Sequence, residues 1–426
     1  GVCQFSQAVD VVKGLANLAL MTGNFRGPAM GIGPVRGQNN VQGACDMGAL
    51  PNSYPGYQNV TVPENRAKFE KAWGVTLPAE VGCPITHVPR RILHEKDEKK
   101  RIHAYYIFGE DPAQSDPDLA EVREALDKCD FVIMQDIYMN KTGLYADVIL
   151  PATGWGENEG VYTCADRGFQ RIRKLVEPEG DLKPDWQIIA EISTAMGYPM
   201  EYKNTEEIWN ELIDLCPSFT GATYEKMEKY GCLQWPCRDK SMEDKGTPYL
   251  HKDGKFATSD QKALFYGAEW HPPLEKENDQ YPMTLSTVRE VGHYSVRTMT
   301  GNCRTLRNLE DEPGWVQMNT EDCKRMGLKK GELVKIMSKR GYCITRCLPT
   351  DRVTPGATYM TYQWWVGACN ELTIAELDPI SNTPEYKYCA CRVEKIEDQE
   401  WAERHVLELY DEIRAQMGIE TGIDVK

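Results

Sequence analysis

Arg36 stands in the stretch Val35-Arg36-Gly37-Gln38-Asn39-Asn40-Val41-Gln42-Gly43-Ala44-Cys45. Arginine stays charged at any working pH, and its planar fork matches a carboxylate or a phosphate. The amide side chains of Gln38, Asn39, Asn40 and Gln42 around it both donate and accept. Six glycines within twenty-one residues (Gly23, Gly27, Gly31, Gly33, Gly37 and Gly43) let the backbone approach a bulky ligand closely. A large polar ligand with a small anion beside it fits this set. So does an ordinary loop with a surface arginine.

Two further groups could do chemistry. Asp111, Ser115, Gln135 and Asp136 form the first. An acidic side chain at the end of a strand can pair with the N–H edge of a guanine, because a carboxylate accepts two hydrogen bonds at once. Asp111 before Pro112 is equally a common helix cap, and the residues alone favour the cap. In the second group Arg289, Glu290, His293, Tyr294 and Arg297 crowd one short segment, and Tyr362, Gln363, Tyr386 and Lys387 add donors. Cationic and hydroxyl groups suit anionic oxygens. His293 also reads as a satisfied core histidine, and Trp364 and Trp365 read as packing. Glu157, Glu159 and Arg167 read as a structural ion-pair set at a crossing between domains.

The elements that must position these groups follow from periodicity. Apolar residues at helical spacing predict a helix over 4–22, with Gly23 as its stop. A short helix is expected over 63–73. Strands are expected over 102–108, 131–134 and 146–150, with an amphipathic helix over 117–128 between the first two. That order predicts a parallel sheet with covering helices, whose ligands sit at the carboxyl ends of the strands. Residues 156–265 are mixed, with helices over 185–196 and 205–215. After Tyr281 short β-type runs recur over 284–289, 333–338, 343–348 and 357–361, and a small barrel is expected there. A charged helix closes the chain over 397–417.

Composition bounds the function. The 426 residues suggest two to four structural units, and 41% hydrophobic with 27% charged residues reads as globular. A net charge of −15 argues against nucleic acid and anionic membrane as partners. The apolar run Leu15–Met21 is too short to span a bilayer. Fifteen cysteines without any Cys-x-x-Cys pair read as reduced thiols of a cytoplasmic protein rather than a disulfide or cluster frame.

Ordered blocks along essentially the whole chain resemble molybdopterin-dependent formate dehydrogenases. They are the Arg36 loop, Gly109-Glu110-Asp111-Pro112, Gln135-Asp136, Ala146-Asp147-Val148-Ile149-Leu150-Pro151 and Asp166-Arg167-Gly168-Phe169-Gln170. Ser286 to Tyr294, Met360 to Trp365 and Thr383 to Tyr388 continue the series. Many members of the wider superfamily carry Asn-x-Glu-Gly-Arg where this chain has Cys164-Ala165-Asp166-Arg167-Gly168, a departure that matches the formate branch.

The resemblance implies an α/β fold, with Rossmann-like parallel αβα sheet units followed by a C-terminal β-barrel of the double-psi type. Domains are expected at 1–40 (with the active-site loop), 41–155 (binding the guanine dinucleotide), 156–270 (a mixed connection) and 271–426 (the barrel and terminal helix). The implied reaction is formate oxidation to carbon dioxide, or its reverse, at a molybdenum or tungsten bis-molybdopterin guanine dinucleotide. Arg36 would orient formate. Gly37, Gln38, Gly109, Asp111, Ser115, Gln135, Asp136, Thr142 and Asp147 would hold the cofactor from the α/β part. Thr287, Arg289, Glu290, His293, Tyr294, Tyr362, Tyr386 and Lys387 would hold it from the barrel.

Family members begin with a four-cysteine iron–sulfur segment and carry a cysteine or selenocysteine metal ligand followed by histidine. None of the seven histidines here follows a cysteine, so no metal ligand is expected in this chain. The chain is expected to be the C-terminal portion of a catalytic subunit. The [4Fe-4S] cluster would lie in an N-terminal part, either a separate chain or an omitted segment. An iron–sulfur electron-transfer subunit, and a hydrogenase or other redox protein, would be partners. Two rival readings are a sister enzyme acting on nitrate or another oxyanion, and a non-catalytic subunit of the same fold.

Overall fold

A computed structural model describes residues 1–419 apart from 29, 308, 310 and 311. The chain forms two units. The first comprises Gly1–Val12, Ile85–Pro151 and Ala268–Lys426, the second Lys13–Pro84 and Ala152–Gly267. The contiguous division expected at 40/41, 155/156 and 270/271 differs from this. The chain passes between units at 12/13, 84/85, 151/152 and 267/268.

In the first unit, β1 (Ala104–Phe108), β2 (Phe131–Asp136) and β3 (Val148–Pro151) form a parallel sheet in that order. The helix Leu119–Lys128 connects β1 to β2 and buries Leu119, Val122, Ala125 and Leu126, one face at helical spacing. Val122 and Leu126 pack with Ile107 and Val132 of the strands, so the parallel sheet gains the helix cover it needs.

The barrel strands are β4 (Met283–Thr287), β5 (Trp315–Met318), β6 (Leu333–Ser338), β7 (Gly341–Pro349), β8 (Ala357–Met360) and β9 (Cys389–Lys395). They close in the order β5-β7-β6-β9-β4-β8. Two pairings are parallel, β5 with β7 and β4 with β8, and β8 closes on β5 antiparallel. Alternate residues point inward, as period-two strands require. They include Leu285, Val316, Met318, Val334, Ile336, Cys343, Cys347, Met360, Cys389 and Cys391, so the cysteines serve as small apolar fillers. The helix Gln399–Gln416 lays Ala402, Val406 and Tyr410 against Leu333, Ile344 and Trp365.

The sheet docks on the barrel within this unit. Gln114 Nε2 donates to the carbonyls of Tyr362 and Trp364, both at 2.7 Å. Asn370 donates to the Ser115 carbonyl at 2.6 Å, and Arg123 forks onto Glu371 at 2.7 and 3.1 Å.

The second unit has an antiparallel sheet of Gly160–Thr163, Gly168–Ile172 and Leu233–Gln234. Phe169, Trp209, Ile213, Phe219, Met227 and Leu233 are its core. Among the described residues no helix is long and apolar enough to cross a membrane.

Candidate functional site

The carboxyl ends of β1 and β2 lie side by side, with Phe108 opposite Gln135. The chain turns there at Gly109, whose φ of +67° few side chains tolerate, and its N–H donates to the Gln135 carbonyl at 2.9 Å. Asp111 follows, buried. Its side chain does not cap the short helix Pro112–Ser115, as the residues alone suggested. One oxygen, Oδ1, instead accepts from the Thr142 N–H at 2.9 Å and the Thr142 hydroxyl at 2.7 Å. The other, Oδ2, is buried without a hydrogen-bond partner. Buried acceptors are nearly always satisfied, so an orphan aimed from a strand end is what a ligand donor would complete.

Acidity gathers around that orphan. Burial raises the Asp111 carboxyl and pushes Asp116 up to about 7, where Glu110 adds to the effect. Burial, with Asp116 next, also holds the Tyr386 phenol well above its ordinary value. The Tyr386 hydroxyl reaches the Ser115 carbonyl at 3.3 Å, so the barrel and the sheet end meet here. Asp136 accepts from the Ile137 N–H at 2.6 Å and from Asn140 at 3.0 Å. Gln135 is fully buried and accepts from the Tyr106 hydroxyl.

The barrel supplies positive charge. The Arg289 guanidinium lies over the Tyr362 ring, 4.3 Å from its centre, with no hydrogen-bond or ion-pair partner among the described residues. Burial lowers the Arg289 and Lys387 pKa values, the mark of cations short of compensating charge. Lys387 donates to the Thr287 carbonyl. His293 holds Thr300 through Nδ1 at 3.1 Å, while its Nε2 is buried without a partner. Burial, with Arg297 nearby, brings its pKa down to about 4, so the ring is neutral at pH 7. The Tyr294 N–H shares the Thr300 hydroxyl at 3.2 Å. An acidic sheet end beside a cationic barrel edge, each with unfilled polar valence, fits a ligand with a donor-rich base and an anionic linker.

Arg36, Gly37 and Gln38 belong to the second unit. Arg36 is exposed, and its Nη2 donates to Gln42 Oε1 at 3.2 Å. A Cβ at Gly33 or Gly37 would meet nothing within 4 Å, so the chain's own packing does not require glycine there. Gly43 is different, because a Cβ would stand 2.0 Å from Asn40 Oδ1, which accepts the Thr163 N–H.

Several expected site residues have other employment. Asp147 sits at the amino ends of the strands, accepting the Val132 N–H at 2.7 Å, away from the carboxyl ends where Gly109, Asp111, Gln135 and Asp136 gather. Its position just before β3 decides this. Glu290 spends its carboxylate on Trp364 Nε1 at 2.6 Å and the Trp315 N–H at 3.3 Å. Thr142 spends both its donors on Asp111 and acts through it. The ion-pair set of Glu157, Glu159 and Arg167 does not form. Glu157 caps Gly154, Glu159 faces Arg171, and Arg167 donates to the carbonyls of Trp235 and Thr247.

Sequence reasoning missed Asp116, and it missed Asp46, which lies buried beneath Arg36's partner Gln42. The i,i+4 spacing of Gln42 and Asp46 was the available signal for the second.

Residues 1–195 match the "Molybdopterin oxidoreductase" family model, and residues 283–390 match the "Molydopterin dinucleotide binding domain". Formate dehydrogenase H of Escherichia coli (strain K12) is 57% identical over 98% of the chain, which spans 58% of that protein. F420-dependent formate dehydrogenase 2 subunit alpha of Methanococcus maripaludis is 41% identical over 93% of the chain, 57% of its own length. The chain thus spans a little under three-fifths of these curated relatives. Among solved structures, the acetylene hydratase from Pelobacter acetylenicus superposes with a TM-score of 0.69 at 17% identity, covering 92% of this chain and 59% of the other. A hydratase on this fold means that the fold alone does not select the reaction.

Proposed function

The chain belongs to the molybdopterin oxidoreductase family, and on that premise we propose that it is the C-terminal portion of a formate dehydrogenase catalytic subunit. It would oxidise formate to carbon dioxide, or run the reverse, in the cytoplasm. Bound to the site, a bis-molybdopterin guanine dinucleotide of molybdenum or tungsten supplies the two-electron redox chemistry.

The residues present fit that group. Asp111, through its unfilled Oδ2, and the neighbouring Asp116 would accept the N–H edge of a guanine. Arg289 and Lys387 would meet anionic oxygens, and Gly109, Ser115, Gln135, Asp136, Thr287, His293, Tyr294, Tyr362 and Tyr386 would line the same ligand. Gly37 and Gln38 are proposed as cofactor-binding residues of the second unit. Arg36 would take the formate carboxylate in its fork and fix the direction of the C–H bond, so its contribution is positioning and charge complementarity. Electrons would leave through a [4Fe-4S] cluster in the N-terminal part, to an iron–sulfur subunit and a hydrogenase or other redox partner.

The observation that carries this reading is the Arg36-Gly37-Gln38 loop within a chain 57% identical to a formate dehydrogenase. The test is Arg36→Lys in the full-length enzyme. Lysine keeps the charge and loses the fork. We expect kcat/KM for formate to fall about tenfold to a hundredfold, as for loss of a charged hydrogen bond, with metal and guanine content near wild type. Undiminished turnover at full metal occupancy would overturn the assignment. Nitrate reduction without formate oxidation would favour the oxyanion rival.

A further inference from the structure

We propose that Gln42 and Asp46 are positioning residues for Arg36, a relay that dictates which edge of the guanidinium is left for the substrate. The inference rests on the reading of Arg36 as the formate-binding residue.

The helix Val41–Asp46 places the two side chains one turn apart. Asp46 is fully buried, and Arg167 is near enough to feel its charge without hydrogen-bonding to it. Three neutral donors hold it: Gln42 Nε2 at 2.7 Å and the Tyr57 hydroxyl at 2.8 Å on Oδ1, and Trp235 Nε1 at 2.9 Å on Oδ2. Every proton then has one place. The carboxylate only accepts, so Gln42 must turn its NH2 toward it. The Tyr57 hydroxyl gives its proton to Asp46 and accepts the second Gln42 N–H at 3.0 Å. Gln42 Oε1 is thereby forced outward, and it takes Arg36 Nη2 at 3.2 Å. An amide that could otherwise flip is locked with its acceptor facing the arginine. The neutral link holds Arg36 in place without cancelling its charge, as a direct carboxylate would.

Two measurements on Gln42→Leu and Gln42→Glu test the relay, the first in the full-length holoenzyme. We expect Gln42→Leu to raise the formate KM about tenfold, the weight of one charged hydrogen bond, and Gln42→Glu to raise it further by pairing with Arg36. A merely structural loss would lower the active fraction, and so kcat per mole, and leave KM in place. In an Arg36→Lys background the Gln42→Leu change should add little, because coupled residues are not additive.

The second measurement does not depend on turnover. The rate of phenylglyoxal addition at Arg36 in the full-length protein, read by mass spectrometry, should rise several-fold in Gln42→Leu. A KM within twofold of wild type in both variants, or an unchanged modification rate, overturns the relay. A wild-type holoenzyme that does not oxidise formate sinks the functional reading instead, and the modification rate still decides the relay.

Discussion

Asp111 shows how one side chain can answer two demands. Its Oδ1 is committed to Thr142, and its Oδ2 is buried and unmatched. Asp111→Asn separates the two. The amide oxygen can keep Thr142, while the NH2 placed at the second position opposes an incoming donor. We expect near-normal thermal stability and a clear loss of guanine nucleotide from the washed enzyme, measured by nucleotide release after denaturation. Stoichiometric nucleotide in Asp111→Asn would make the carboxylate a purely structural group. Asp111→Ala is the poorer probe, because it also strands the Thr142 N–H at a cost of about 1–3 kcal/mol.

At the scale of elements, the segment between β4 and the residues near Thr300 has little regular structure of its own, yet it carries Arg289 and His293. Gln363, buried just after β8, holds it. Its NH2 donates to the His293 carbonyl at 2.6 Å, and its oxygen accepts the Glu290 N–H at 2.6 Å. Glu290 completes the clamp by pinning Trp364. Gln363→Leu keeps the bulk and leaves two backbone groups unmatched. We expect a loss of about 2–6 kcal/mol in unfolding free energy, from about 1–3 kcal/mol per stranded group, with faster amide exchange confined to 288–294. Uniform exchange across the barrel would mean the clamp is not local.

At the scale of the molecule, the described residues contain no group of three or more His, Cys, Asp or Glu placed to hold a metal ion. Leu15, Leu18 and Met21 also stand exposed along the helix Ala8–Met21. Exposed apolar faces of this kind favour association. The 426-residue chain made by itself is therefore expected to assemble no iron–sulfur cluster, to turn over no formate and to self-associate, checked by visible absorption, dye reduction and light scattering. A monomeric chain that oxidises formate unaided would refute the division of labour proposed here.

Local and periodic features were legible in the sequence. The helix expected over 63–73 forms as Pro63–Trp73, and the terminal helix over 397–417 as Gln399–Gln416. The three parallel strands appear where apolar runs meet turn residues, because burial and turn chemistry are written locally. Strands Trp315–Met318 and Cys389–Lys395 were not legible. The first is only four residues long, and the second is studded with charge, so neither carries a pattern of its own. Their identity comes from partners distant in the chain, β7 and β8 for one, β6 and β4 for the other. The site divides the same way. Residue type marked Arg36 and Asp111 as candidates. Whether Asp111 caps a helix or keeps a free oxygen, and whether Asp147 or Glu290 has capacity left for a ligand, depends on groups brought near by folding. A side chain's hydrogen-bonding capacity is finite, and only the tertiary structure decides where it is spent.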